Sequence, residues 1–132
     1  MEMPRTLALL LCHAVTQDDD GRPILQGLYD RVVLRTVPGV DNCVVYTKYV
    51  LPPGEHDLVL AVVDLESGRE IGRAQHTVAI GGGRPVNETT WDITVRYERV
   101  GRYLYRFLAD GEVLSFTLVD VVSFPASPPV GA

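Results

Sequence analysis

Apolar and polar residues alternate along most of this chain with a period of two, and short turn motifs interrupt the alternation at even intervals. In residues 88–97 the two faces separate cleanly. Trp91, Ile93, Val95 and Tyr97 fall on one side, and Thr90, Asp92, Thr94 and Arg96 on the other. Bounding each run by its turn residues predicts eight strands, over residues 6–17, 24–36, 43–51, 57–65, 70–80, 88–97, 102–109 and 112–123. The punctuation is "DDDGRP" after the first run, Pro38-Gly39 after the second, "PPG" at 52–54, Ser67-Gly68, and "GGGRP" from Gly81. No stretch carries a helical period, and β-branched and aromatic residues fill the runs. Together these features predict an all-β fold, a single antiparallel β-sandwich.

The most strongly patterned run is "VGRYLYRFLADGEVLSF", residues 100–116. Asp110-Gly111 predicts a two-residue type I′ hairpin turn, because both positions need positive φ and these residues tolerate it. Straight pairing from that turn sets Ala109 opposite Glu112, Phe107 opposite Leu114, Tyr105 opposite Phe116 and Tyr103 opposite Leu118. The last three pairs share one buried face. Residues 58–63 are apolar on both sides: Leu58, Leu60 and Val62 point one way, Val59, Ala61 and Val63 the other. A two-layer sandwich covers one face of each sheet, so the second set calls for another cover. A two-fold homodimer through that face is the expectation, with a loop or the Pro-rich tail as the alternative cover from within the chain.

Composition narrows the class. A chain of 132 residues is the size of one domain; we assign the sandwich to residues 1–124 and a Pro-rich tail to 125–132. Its 46% hydrophobic and 22% charged content is that of a globular domain, with no indication of a membrane span. The net charge of −5 argues against a nucleic-acid binder, which needs a basic stripe to neutralise phosphates. Cys12 and Cys43 are too few for a disulfide scaffold, and free, buried thiols are the expectation. "PRTLALLLCHAV" superficially imitates a secretion signal, but His13 interrupts it and Asp18-Asp19-Asp20 follows directly. Leu11 is also too large to precede a lipidated cysteine. A first strand in a cytoplasmic protein is the expected reading.

Gly101-Arg102-Tyr103 has the spacing found in many immunoglobulin-like sandwiches, where a tyrosine near the start of the penultimate strand bonds back to nearby backbone. Tyr105 stands where antibody domains carry a cysteine, so no inter-sheet disulfide is implied. The stretch "LALLLCHAVTQDDDGRPILQGLYD" resembles the start of a family of small bacterial immunoglobulin-like β-sandwich proteins of uncharacterised function. Residues 7–15, Gly21, Leu25 and Gly27-Leu28-Tyr29 carry that resemblance, and "PGEHDLVLAVVD" and "GRYLYRFLADGEVL" extend it over most of the domain. It implies a fold and no activity.

Candidate chemistry is sparse. Three consecutive aspartates at 18–20 point in different directions and lack the spaced ligands of a calcium loop, so we read an exposed turn without metal. His13, His56 and His76 have no metal spacing, and a zinc site built from Cys12, Cys43 and a histidine is the weaker alternative. Ser67 and Ser123 lack a nucleophile-elbow context, and "GGGR" lacks the residues of a phosphate loop. Asn87-Glu88-Thr89 is formally a glycosylation sequon. Tyr97, Tyr103, Tyr105 and Trp91 belong to the core by alternation, which leaves Tyr29, Tyr46 and Tyr49 as candidates for a ligand-binding face. We therefore expect no catalytic, cofactor-binding or metal residues. The expected function is a non-catalytic interaction or accessory module with an unknown protein partner, and a small-ligand or carbohydrate-binding sandwich is the alternative.

Overall fold

The computed structural model describes residues 3–83 and 86–123. Ten strands are present among them: β1 (Arg5–Cys12), β2 (Ala14–Gln17), β3 (Pro23–Gln26), β4 (Arg31–Leu34), β5 (Gly39–Val50), β6 (Gly54–Asp64), β7 (Glu70–Ile80), β8 (Val86–Tyr97), β9 (Gly101–Ala109) and β10 (Glu112–Ser123). A three-stranded sheet in the order β1-β5-β8 packs on a five-stranded sheet in the order β4-β10-β9-β6-β7. The hairpin β2–β3 stands apart and lies against β5. The initial stretch of chain is thus shared between the two sheets, β1 pairing with β5 and β4 with β10. This is the strand arrangement of an immunoglobulin-like sandwich.

Two expected strands are each divided. The first breaks at His13, whose N–H bonds the carbonyl of Gln26 at 2.9 Å instead of continuing the ladder with β5. The second breaks at Gly27, whose φ of +68° turns the chain out of the β2–β3 hairpin. A Cβ at Gly27 would lie 2.3 Å from His13 Cδ2, so glycine answers both the turn and the close approach. Tyr29 then returns to β1 through its N–H to the Leu11 carbonyl at 3.1 Å, and the chain crosses to the other sheet. The pairing of β4 with β10 is parallel, so the architecture is mixed rather than wholly antiparallel.

The core lies between the sheets and is built on aromatic residues. Trp91, Tyr49, Tyr97, Tyr103, Tyr105 and Phe107 are each at most 1% exposed. Buried polar tips find partners, as burial requires. Trp91 Nε1 donates to Thr47 Oγ1 at 3.1 Å, and Thr47 Oγ1 donates to the Thr89 carbonyl at 2.9 Å. Tyr103 OH donates to the Arg99 carbonyl at 2.7 Å, which is the corner expected from the Gly-x-Tyr spacing.

The hairpin turn forms as expected, with φ of +52° at Asp110 and +84° at Gly111. The register does not hold beyond it. A bulge between Val113 and Ser115 inserts one residue into β10, so Phe107 meets Ser115, Tyr105 meets Thr117 and Tyr103 meets Val119. The expected partners Leu114, Phe116 and Leu118 are therefore displaced. Phe116 is 62% exposed and Leu118 is also exposed, while Val119 and Val121 take the core positions. The four inward residues of β9, from Tyr103 to Ala109, are buried as expected.

The outward set on β6 also departs from expectation. Val59, Ala61 and Val63 lie on the outer side of the sheet yet are buried within the chain itself. Leu108, Arg106 and Leu104 of β9 flank them on one side and Gln75, Arg73 and Glu70 of β7 on the other. Long stems on both neighbouring strands close over the small central residues. The Pro-rich tail, residues 125–132, lies outside the described residues.

Candidate functional site

One group of polar side chains in the sandwich gathers around Cys43 and Asp41. Cys43 Sγ lies 3.9 Å from Tyr105 OH, Tyr105 and Tyr97 share a hydroxyl–hydroxyl bond, and Tyr29 OH donates to Asp41 Oδ2 at 3.5 Å. Burial pushes the Cys43 thiol up to about 11, and it raises the Asp41 carboxyl and the Tyr29, Tyr97 and Tyr105 hydroxyls as well. Every member is held in its neutral form or pushed toward it, which suits a structural network and gives no activated nucleophile. Cys12 and Cys43 are both free and buried.

Elsewhere, His56 and Asp110 form a clasp. His56 Nδ1 lies 2.6 Å from Asp110 Oδ2 and Nε2 lies 2.7 Å from the Pro52 carbonyl, while Asp110 Oδ1 accepts the Asp57 N–H at 2.9 Å. The hydrogen bond to Asp110 raises the pKa of His56, and the same bond lowers that of Asp110. The clasp ties the β9–β10 turn to the start of β6 and leaves neither ring nitrogen free for proton transfer. Asp64 plays a comparable part at the opposite end of β6, where Arg99 grips its Oδ2 at 2.7 and 2.9 Å.

The aspartates at 18–20 form an exposed turn, as expected. Asp18 Oδ1 accepts the N–H groups of Asp20 and Arg22 at 2.9 and 2.8 Å, and the Arg22 guanidinium bonds Asp20 Oδ2 at 2.5 Å. The carboxylates already have backbone and arginine partners. Among the described residues no group of three or more His, Cys, Asp or Glu is placed to hold a metal ion. His76 lies with its ring 4.7 Å from that of Trp91, and His13 lies 5.1 Å from Tyr29.

The tyrosines left open by the sequence do not make a binding face. Tyr46 and Tyr49 are buried and Tyr29 is half-buried. Tyr46 OH bonds Glu88, and Tyr49 OH bonds Thr89 Oγ1 at 2.8 Å. Tyr49 follows Cys43, Val45 and Thr47 on the inward face of β5, whereas the burial of Tyr46 on the opposite face has no period, because the β2–β3 hairpin lies against β5.

The exposed apolar surface lies elsewhere, on the outer side of the five-stranded sheet. Phe116, Leu118, Val113 and Val33 are all exposed there, beside half-buried Leu104 and Leu108. Phe116 is the one exposed aromatic residue among those described. Directly opposite it on β9 stands Arg106, whose Nε is buried without a hydrogen-bond partner. Opposite charges close the far end of the stripe, where Arg102 Nε lies 3.5 Å from Asp120 Oδ1 and both side chains are exposed.

A family model matches residues 7–122, nearly the whole described domain. The chain belongs to a family of unknown function, DUF6941. Comparison with curated proteins finds no match. Among solved structures, this DUF6941 chain is similar to an immunoglobulin-like protein from Pseudomonas aeruginosa, at 12% identity and a TM-score of 0.44, covering 91% of this chain and 97% of that one. It is also similar to part of the Pseudomonas fluorescens alkylpurine DNA glycosylase AlkC, solved bound to DNA containing an abasic site analogue. That similarity has 14% identity and a TM-score of 0.49 over 86% of this chain, which spans 30% of the glycosylase. In the DUF6941 domain, the Gly27-Leu28-Tyr29 element has an architectural role, marking where the chain leaves the β2–β3 hairpin and crosses between sheets.

Proposed function

We propose that this DUF6941 domain is a non-catalytic interaction module and that it works through the outer face of its five-stranded sheet. The observation that carries the reading is Phe116, a large aromatic side chain 62% exposed at the middle of a sheet face and flanked by exposed Leu118 and Val113. Contiguous apolar surface rimmed by charge is the mark of a contact site, whereas scattered apolar residues are ordinary. The non-catalytic part rests on the state of the reactive groups: both thiols are buried, with pKa values raised by that burial, and both nitrogens of His56 are engaged. Two free cysteines fit a reducing compartment, and we place the domain in the cytoplasm on that ground. No helix among the described residues is long and apolar enough to cross a membrane.

Photo-crosslinking tests the reading. Benzoylphenylalanine placed at Phe116 should give a protein adduct in cells that make the protein natively. The same group at Arg96, exposed on the other sheet, should not. No adduct at 116, or equal yield at both positions, would refute this assignment of the surface.

A further inference from the structure

We propose that the occupant of this face is a second copy of the chain, docked about a two-fold axis that runs along the groove between β9 and β10. The inference rests on the reading above and names the partner. Its basis is the register of the two strands. On the outer face the directly opposed pairs are Val113 with Leu108, Phe116 with Arg106, Leu118 with Leu104, and Asp120 with Arg102. A two-fold axis parallel to the strands and midway between them exchanges β9 with β10 while keeping each residue at its own level. Every side chain then faces the residue that is already its cross-strand neighbour, now supplied by the other copy.

The four pairs suit that exchange. Phe116 meets the partner's half-buried Arg106, a cation over an aromatic face, beside an Nε that is buried without a hydrogen-bond partner. Leu118 meets the partner's Leu104 and Val113 the partner's Leu108, apolar on apolar. Asp120 meets the partner's Arg102, so the two intrachain pairs merge into a ring of alternating charge. Each of the four contacts occurs twice, as a closed two-fold interface demands.

Three other axes through these two strands fit less well. An axis along β9 sets Arg106 on Arg106 and Arg102 on Arg102. An axis along β10 sets Asp120 on Asp120. An axis across the strands lays β9 on itself, and its outward residues are Arg102, Leu104, Arg106 and Leu108, so Arg106 meets an arginine or a leucine at every level. Sheet twist splays the flanking strands of two face-packed sheets, and the pairs nearest the axis therefore decide the fit. The covered set Val59, Ala61 and Val63 is not needed for this contact.

Sedimentation equilibrium of the whole chain from about 1 to 100 μM decides it, a range that reports micromolar dissociation constants. The expected result is a dimer mass for the unaltered protein. Asp120→Arg and Arg102→Asp should each weaken the dimer by at least about 100-fold, because each puts like charges together at two contacts. Both sites are exposed, at 53% and 72%, and unchanged circular dichroism will show that the variants fold. An equimolar mixture of the two variants should regain the dimer, since every pair across the axis then joins an arginine to an aspartate. A monomer mass for the unaltered chain overturns the proposal, as does a dimer that survives either substitution or a mixture that stays monomeric. If the unaltered chain is monomeric while the crosslinker at 116 captures a different protein, the homodimer falls and the interaction surface stands.

Discussion

Replacing Asp110 with Asn isolates one charge in the clasp that holds the β9–β10 turn to β6. Asparagine tolerates the positive φ of 52° that the turn imposes, so the backbone keeps its shape. Its amide oxygen still accepts the Asp57 N–H now bound by Asp110 Oδ1. Only the bond to His56 changes character. In the native protein both atoms facing the imidazole, Asp110 Oδ2 and the Pro52 carbonyl oxygen, are acceptors. The ring satisfies both only when both nitrogens carry protons, as the imidazolium. The imidazole is well shielded, at 10% side-chain exposure, although Asp110 is 52% exposed.

A charge-assisted bond contributes about 1.5–3 kcal/mol and a neutral one about 0.5–1.5. Exchange of the first for the second should therefore cost about 1 kcal/mol while His56 is protonated. The pH window follows from the direction of the shift. The folded pKa of His56 lies above its unfolded value of about 6.5. The contribution is thus fully present below about pH 6.5 and is lost as pH rises through the folded value. Urea denaturation followed by the fluorescence of Trp91, the single tryptophan, gives the difference in stability between the two proteins. It should be about 1 kcal/mol near pH 5.5 and fall toward zero by about pH 9. A cost that stays constant or grows with pH would refute the imidazolium assignment.

Asp41→Asn should stabilise the fold at neutral pH, because burial raises the carboxyl's pKa and its charged form is the disfavoured one. The gain should fade as pH falls through the native carboxyl's titration, as measured by melting temperature against pH. Gly27→Ala should cost about 1–2 kcal/mol from its φ of +68° alone. Removing the facing ring with His13→Ala should recover only the steric part of the loss, read by urea denaturation of the double variant. Millimolar Ca²⁺ followed by excess chelator should leave the melting curve unmoved, since a ligand specific to the native state would raise it. A reversible shift of several degrees would make the aspartate turn at 18–20 a binding site.

Much of this fold is legible in the sequence where local signals agree. Asp110-Gly111 set the turn, Gly101-Arg102-Tyr103 set the corner, and the alternation from Trp91 to Tyr97 set the inward face of β8. The register beyond Leu114 was not legible from alternation. Residues 116–122, "FTLVDVV", are apolar enough to serve in either register, so the pattern alone does not detect an inserted residue. One residue in that stretch does carry the signal. Straight pairing from the turn puts Asp120 on the core face opposite Gly101, a buried carboxylate without a partner, which is costlier than exposing a phenylalanine. The bulge turns Asp120 outward to Arg102 and admits Val119 and Val121 to the core. The coverage of Tyr46 and of Val59 illegibly depended on contacts that cross between elements. The first lies on the face of β5 that the hairpin packs against and the second between the stems of Leu108 and Gln75, and neither arrangement has a period.

The same bulge bears on function. Once it is in place, the core is completed by Val119 and Val121, and the fold makes no demand on positions 116 and 118 beyond strand propensity. Threonine or tyrosine would meet that demand, and a lysine would protect an exposed sheet from unwanted contact. A phenylalanine and a leucine there leave apolar surface in water at about 25 cal/mol per Å² relative to burial. They also stand beside Arg106, whose Nε lacks a hydrogen-bond partner. Neither feature stabilises the isolated domain, and a single contact covers both. The residues that make this surface costly to the monomer are the ones that a partner placed on the β9–β10 groove would bury.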